Sequence, residues 1–295
     1  MNRVLVTGGT GGLGREVVHK LLKSGYTVRV MSRQSQAASQ WPEVEWIQAD
    51  LATGVGLHEA VASVDTIIHA ATDAGVSQEN ATLNTFLRKS LLRHDSSVDV
   101  QGTKLLLEQA HASGVAHCIY ISIVGIEHIP FAYYRHKLAA EAVVRESGVP
   151  WSIVRATQFH SLIDTFIRTA AKWPVLTLAT DFQFQPVDPS EVASYLCACV
   201  TQGPGERHPN FGGPEALTLG NMARIWLDVY RSKQRIMHLP LPGKTARTLR
   251  QGGLTCPSEK RGTITWAEWL QRHSTPKEHS SKAITTVSRE QGSAL

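Results

Sequence analysis

The segment that most constrains this chain is Thr7-Gly8-Gly9-Thr10-Gly11-Gly12-Leu13-Gly14. It follows the β-branched run Val4-Leu5-Val6 and opens an amphipathic stretch, Leu13–Ser24, whose Val17, Val18, Leu21 and Leu22 share one helical face. Glycine loses more chain entropy on folding than any other residue, so a strand–helix turn this rich in glycine calls for a reason. A bound phosphate supplies one. Glycines let the backbone approach a pyrophosphate closely, and the N-terminus of the helix aims unpaired N–H groups at the anion. The spacing satisfies both TGxxGxxG and TGxxxGxG, so on its own it does not choose between the two patterns.

The next 140 residues repeat the strand–helix rhythm. Strands are expected at Val4–Thr7, Thr27–Met31, Glu45–Gln48, Thr66–Ala70, His117–Ser122 and Trp151–Arg155. Helices are expected at Leu13–Ser24, near Val55–Ala62, at Val98–Ser113 and at Tyr133–Ser147, with Gly25, Gly114 and Gly148 as stops. This alternation specifies an α/β protein, a Rossmann-type doubly wound parallel sheet with a small C-terminal substrate-binding lobe. The expected division is a dinucleotide-binding unit over 1–156, the lobe over 157–273 and a polar tail over 274–295. The lobe's helices are expected near Ser161–Lys172, Pro189–Val200 and Thr218–Tyr230. The interval Thr72–Ser97, with Phe86, Arg88, Lys89, Arg93 and His94, breaks the rhythm on the ligand-binding edge and is expected to form a loop or helical lid.

The end of the second strand selects the nucleotide. NAD sites place a carboxylate there for the ribose 2′-hydroxyl. Here no Asp or Glu occurs from Gly25 to Pro42, and the strand ends Ser32-Arg33. A guanidinium suits a 2′-phosphate, and the serine can donate a further bond. The expected cofactor is therefore NADP(H). Asp50 is suited to the adenine amine, and Ala70-Ala71-Thr72 offers small residues where a cofactor would press on the backbone.

Composition narrows the remaining choices. The 295 residues are 42% hydrophobic and 19% charged, which suits a globular protein with a full core. No apolar run is long enough for a membrane span. Cys118, Cys197, Cys199 and Cys256 lack CxxC spacing and read as reduced thiols of a cytoplasmic protein. The 13 histidines form no compact ligand pattern, so no metal is expected. The net charge of +5 is uneven: Arg231 to Lys277 holds ten Lys/Arg against Glu259 and Glu268. That is either a solvated basic surface or a patch facing an anionic partner. Nucleic acid is disfavoured, because no helix-turn-helix, RNP or zinc-finger pattern accompanies the charge.

Taken together, Thr7–Gly14, Ser32-Arg33, Asp50-Leu51, Ile121–Gly125, Tyr133–Glu141 and Arg155–His160 resemble, in order, the short-chain dehydrogenase/reductase superfamily, most nearly its atypical NmrA-like NAD(P)H-binding branch. The resemblance implies a cofactor site built from Gly8, Thr10, Gly11, Gly12, Leu13, Gly14, Ser32, Arg33, Asp50, Leu51, Ala70, Ala71, Thr72, Lys137, Thr157 and Phe159. It also implies catalysis by Tyr133 and Lys137, which fit YxxxK, with Ser122 polarising the substrate oxygen. Residues four apart share a helix face, and a nearby ammonium is expected to lower a phenol's pKa. Asp99 stands where many relatives carry Asn, and Ala156-Thr157-Gln158 replaces the usual Pro-Gly turn.

The expected activity is NADPH-dependent reduction of a carbonyl, quinone or similar unsaturated small molecule, with a homodimer as the assembly to look for. The rivals are a nonenzymatic NADP(H)-sensing regulator and an isomerase or lyase that uses bound cofactor transiently. His69 reads as a satisfied buried histidine. Phe159 and His160 read either as lining of the nicotinamide end or as core, and Trp266 and Trp269 as packing within the lobe.

Overall fold

The computed structural model describes residues 3–33, 41–72 and 97–274. The interior of the expected lid and the tail beyond Ser274 lie outside the described residues. Seven parallel strands form the central sheet in the order β3-β2-β1-β4-β5-β6-β9. They are β1 (Arg3–Thr7), β2 (Thr27–Ser32), β3 (Glu45–Gln48), β4 (Thr66–His69), β5 (His117–Ile123), β6 (Trp151–Ala156) and β9 (Glu206–Arg207). The first six are those the sequence specifies, to within a residue at each end.

The strands lack a polar face because both faces are covered. Leu5, Met31, Ile67, Cys118, Tyr120 and Ile153 point to one side, where they meet α2 (Leu57–Val61), α3 (Thr103–Ala112) and α4 (Ala132–Glu146). Val4, Val6, Val28, Val30, Ile68, Ile119 and Val154 point to the other. There they meet Val17, Val18 and Leu21 of α1 (Gly12–Lys23) and Val192, Leu196 and Cys199 of α6 (Pro189–Gln202). The sheet is thus doubly wound, and its carboxyl ends lie along one edge.

The expected helix Val98–Ser113 differs at its start. Ser97–Gly102 is a π-helical turn, and regular α-helix begins only at Thr103. A side chain at Gly102 would sit 2.8 Å from Leu51 Cβ, so the chain widens where it crosses the turn after β3. Thr103 Oγ1 donates to the Asp99 carbonyl at 2.5 Å and ties the wide turn to the helix. Such turns recur at functional sites, and this one carries Asp99.

A third core lies beyond β6. It joins α5 (His160–Ala170), α7 (Leu219–Val229), α8 (Lys244–Arg250) and α9 (Trp266–His273). Trp266 and Trp269 stack with ring centres 5.7 Å apart, and His160 lies against both. His160 is fully buried and its Nε2 pairs with the Ile264 carbonyl, so burial lowers its pKa to about 4 and it packs as neutral core. A capping box between Thr265 and Glu268 starts α9. The two-stranded pieces β7 (Val175–Leu178) with β11 (Arg235–His238), and β8 (Gln183–Phe184) with β10 (Leu217–Thr218), were not legible in the sequence. They are too short for a periodicity to register.

Candidate functional site

The glycine loop is resolved into distinct roles. Gly8 has φ +71°, and a Cβ there would lie 2.8 Å from the Ala71 backbone, so only glycine lets β1 and the end of β4 meet. A Cβ at Gly14 would lie 2.1 Å from the Gly8 carbonyl oxygen, so glycine lets α1 pack down on the loop. Gly11 differs. It is the N-cap of α1 in extended conformation, and a Cβ there meets only the Gly8 oxygen, at 3.3 Å. The fold itself can accommodate a side chain at Gly11 with a small shift, so a ligand is the better reason for its glycine. Gly8 and Gly14 are thus required by the fold, and Gly9 is close-packed too, since a Cβ there would lie 2.7 Å from Val30 Cγ1. No side chain caps α1 and its first turn holds no acid, which leaves the helix N-terminus to an anion. Thr10 and Gly11 are exposed, Gly12 is partly exposed, and Leu13 is buried against the sheet.

This division of labour gives an expected result. Gly11→Val should fold with near-parental thermal stability yet lose NADPH binding by calorimetry, whereas Gly14→Val should melt well below the parent. Retained binding by folded Gly11→Val would remove the loop from the cofactor site.

Around the loop, Ser32 and Arg33 end β2, and Arg33 is exposed. Asp50 is occupied locally, accepting from Ala52 N at 2.9 Å, and Leu51 is buried in the core. Ala70 and Ala71 run past Gly8, and the Ala71 N–H donates to Thr7 Oγ1 at 3.1 Å. Thr7 Oγ1 also pairs with His69 Nδ1 at 2.6 Å, and His69 Nε2 with Thr103 Oγ1 at 2.9 Å. Burial lowers the His69 pKa to about 3, with the Lys137 charge assisting, so this imidazole is a neutral brace. The brace pins β4 and the start of α3 to the glycine loop. Its two threonines carried no sequence signal, because their partners are distant in the chain. Thr157 is buried, with Oγ1 accepting from Gly213 N at 3.2 Å, and Phe159 caps α5 and packs against the sheet.

The YxxxK pair sits in the first turns of α4. Lys137 is buried, donates to the Ile121 carbonyl at 2.8 Å and lies 4.2 Å from the centre of the Tyr120 ring. Burial lowers its pKa to about 8 against the opposing pull of Asp99 and Glu141. Tyr133 Oη lies 3.5 Å from Thr72 Oγ1, at the outer limit of a hydrogen bond, and Thr72 donates to Asp99 Oδ1 at 2.7 Å. Burial raises the Tyr133 phenol to about 12, the Thr72 contact opposes this, and the Asp99 charge adds to it. The phenol is therefore raised rather than lowered as expected, by desolvation and the Asp99 charge, and the Lys137 ammonium is engaged at Ile121. The neighbouring Tyr134 is buried in the third core.

Ser122 lies near the end of β5. It registers with Arg155 and is buried beside Glu141. Burial tends to raise the Glu141 pKa, but Arg155, the Ser122 hydroxyl and Arg145 prevail and hold it below its ordinary value. Arg155 meets Glu141 through two bonds of 2.7 and 2.8 Å and Glu127 at 2.9 Å. The hydroxyl that the structure brings to Tyr133 is that of Thr72, a residue the sequence assigned to the cofactor. Among the described residues, no three His, Cys, Asp or Glu side chains cluster as a metal site. No described helix is long and apolar enough to cross a membrane.

Comparison with known proteins agrees with this geometry. A family model described as NAD(P)H-binding matches residues 8–202. The chain is 26% identical over 258 residues to the chloroplastic divinyl chlorophyllide a 8-vinyl-reductase of Oryza sativa, covering 81% of this chain and 61% of that protein. It is 24% identical over 245 residues to a photosystem II assembly factor of Trieres chinensis, covering 81% and 72%. The NADPH-dependent quinone oxidoreductase of Escherichia coli, solved with NADPH, superposes with a TM-score of 0.73 at 17% identity, over 92% of this chain and all of that one, and so shares the fold. With the glycine loop, the doubly wound sheet and the matched residues in agreement, this chain is a member of the NAD(P)H-binding family of the extended short-chain dehydrogenase/reductase, NmrA-like kind.

Proposed function

We propose that this protein is an NADPH-dependent reductase of a carbonyl, quinone or similarly unsaturated small molecule. The observation that carries the reading is the common anchorage of the two halves of the site. Ala71 lies against Gly8 of the glycine loop, and the next residue, Thr72, approaches the Tyr133 hydroxyl. A proton donor and a phosphate cradle are thereby fixed to the same three residues after β4. The reductase names among the relatives support the oxidoreductase class.

Gly11, Gly12 and the N-terminus of α1 would hold the pyrophosphate, Arg33 and Ser32 the 2′-phosphate, and Lys137 the nicotinamide ribose. The bound cofactor supplies hydride. Tyr133 supplies the matching proton. With a pKa near 12 its phenol stays protonated throughout the physiological range, which suits donation to an oxygen that gains negative charge. Thr72 donates to Asp99 Oδ1 at 2.7 Å and lies 3.5 Å from the Tyr133 hydroxyl, near enough to orient it. Glu141 and Arg155 fix α4 against β6 beside Ser122. The third core, with α5, α7 and α9, is proposed to form the substrate-binding lobe.

Cofactor choice provides the test. Calorimetry should show NADPH binding more tightly than NADH, and Arg33→Ala should remove most of the difference. A charge-assisted contact of this kind contributes about 1.5–3 kcal/mol. Equal affinities in the parent protein would reject the NADPH assignment. Oxidation of NADPH in the presence of a panel of quinones and ketones then tests the reductase class itself.

A further inference from the structure

The small sheet of β7 and β11 has one face in the third core and one face bare. Leu176, Leu178 and Ile236 point inward. The register pairs Arg235 with Val175 and Met237 with Thr177, so these side chains share the outer face. On and beside that face, Trp173 is 72% exposed, Met237 53%, Leu239 42%, and Val175 and Leu241 38% each. All eight residues from Met237 to Lys244 are exposed, and the segment continues along β7, the Leu239 N–H donating to the Leu178 carbonyl at 2.8 Å. Its sequence, Met-His-Leu-Pro-Leu-Pro-Gly-Lys, alternates leucine with proline, and proline disfavours folding back into helix.

The rim of this face has one sign. The segments 172–178 and 231–250 carry Lys172, Arg231, Lys233, Arg235, Lys244, Arg247 and Arg250, and no Asp or Glu. Arg250 is held by Asp181. Among the described residues the other six form no ion pair. An exposed apolar face with a tryptophan and a basic rim free of ion pairs at six of its seven cations is complementary to one kind of surface. Apolar side chains enter the headgroup boundary, tryptophan sits at that interface, and the cations meet lipid phosphates. An acidic protein surface would satisfy the charge but leave the exposed Leu, Met and Trp without a partner.

We propose that the Trp173–Val175 and Met237–Leu241 face docks this protein peripherally on an anionic lipid surface. The docking needs no spanning segment and is independent of the catalytic reading above. It also gives a role to the basic residues between Arg231 and Arg250 that the cofactor site does not absorb.

The test is flotation of the full chain with phosphatidylcholine vesicles, with and without phosphatidylglycerol. Binding is expected to the anionic vesicles only, and to fall as salt rises. Met237→Glu/Leu239→Glu and, separately, Lys172→Glu/Lys233→Glu/Arg235→Glu should each weaken it about tenfold or more. All five positions are exposed, so NADPH affinity and thermal stability should match the parent. No binding to anionic vesicles, or parental binding by both variants, would overturn the proposal. So would a change from dimer to monomer in Met237→Glu/Leu239→Glu on sedimentation without vesicle binding by the parent, since a second copy would then be the occupant.

Discussion

Tyr133→Phe should lower turnover about 100- to 10,000-fold while leaving NADPH affinity nearly unchanged, the share expected of a general acid. The substitution keeps the ring, and with it the packing against Tyr134 at 5.8 Å between ring centres. It removes only the hydroxyl that approaches Thr72. Lys137→Ala should behave differently and damage cofactor binding and turnover together, because the proposed ribose contact goes with the charge. The parent carries a signature of the same lysine. With its pKa lowered to about 8 by burial, Lys137 loses its proton at mildly alkaline pH, and the KM for NADPH should rise there. Single-turnover and steady-state assays on both variants separate the roles. Full activity in Tyr133→Phe would move proton donation to water or to another side chain.

Glu141→Ala should cost the fold about 3–5 kcal/mol, the range for removing one partner from a buried ion pair. Glu141 is fully buried, and Arg155 across from it is 5% exposed, so the truncation leaves a buried guanidinium with Glu127 as its one carboxylate partner among the described residues. Arg145 loses its 2.6 Å partner as well. The acid dependence follows from the direction of the shift. Glu141 titrates below its ordinary value of 4.5 in the folded protein, so its contribution is fully present above that pH. The contribution is lost as pH falls through the folded value. Denaturant titrations of the parent should therefore show stability dropping in acid. Glu141→Gln, which keeps the shape and much of the hydrogen bonding, should show a shallower drop. An unchanged denaturation midpoint in Glu141→Ala would mean the network adds nothing to the fold.

The two predictions fall on different sides of what the sequence discloses. Tyr133 and Lys137 were legible because their relation is local: four residues on one helix impose a shared face whatever the helix packs against. The six central strands were legible for a related reason. Burial on both faces forces continuous apolar runs, and helix-closing glycines separate them. Glu141, by contrast, was one of two acidic residues on an amphipathic helix. Its weight comes from Arg155, 14 residues away on β6. Thr72 was legible as a cofactor neighbour but not as the hydroxyl facing Tyr133, since that approach spans 61 residues. The sheet of β7 and β11 escaped notice for the same reason, its pairing being a long-range event between short segments.

By itself the sequence determined the parallel α/β architecture, the phosphate loop and the basic strand end that points to NADPH. Each is written in periodicity, glycine spacing or the absence of a carboxylate over a short window. Only the tertiary structure showed which glycines the fold itself needs, because the answer depends on what a Cβ at each would strike. It also decided the protonation of the site. Burial raises the Tyr133 phenol, lowers the Lys137 ammonium and keeps His69 neutral. A pKa is set by the desolvation and charges around a group, and those neighbours come from segments that the chain brings together only on folding.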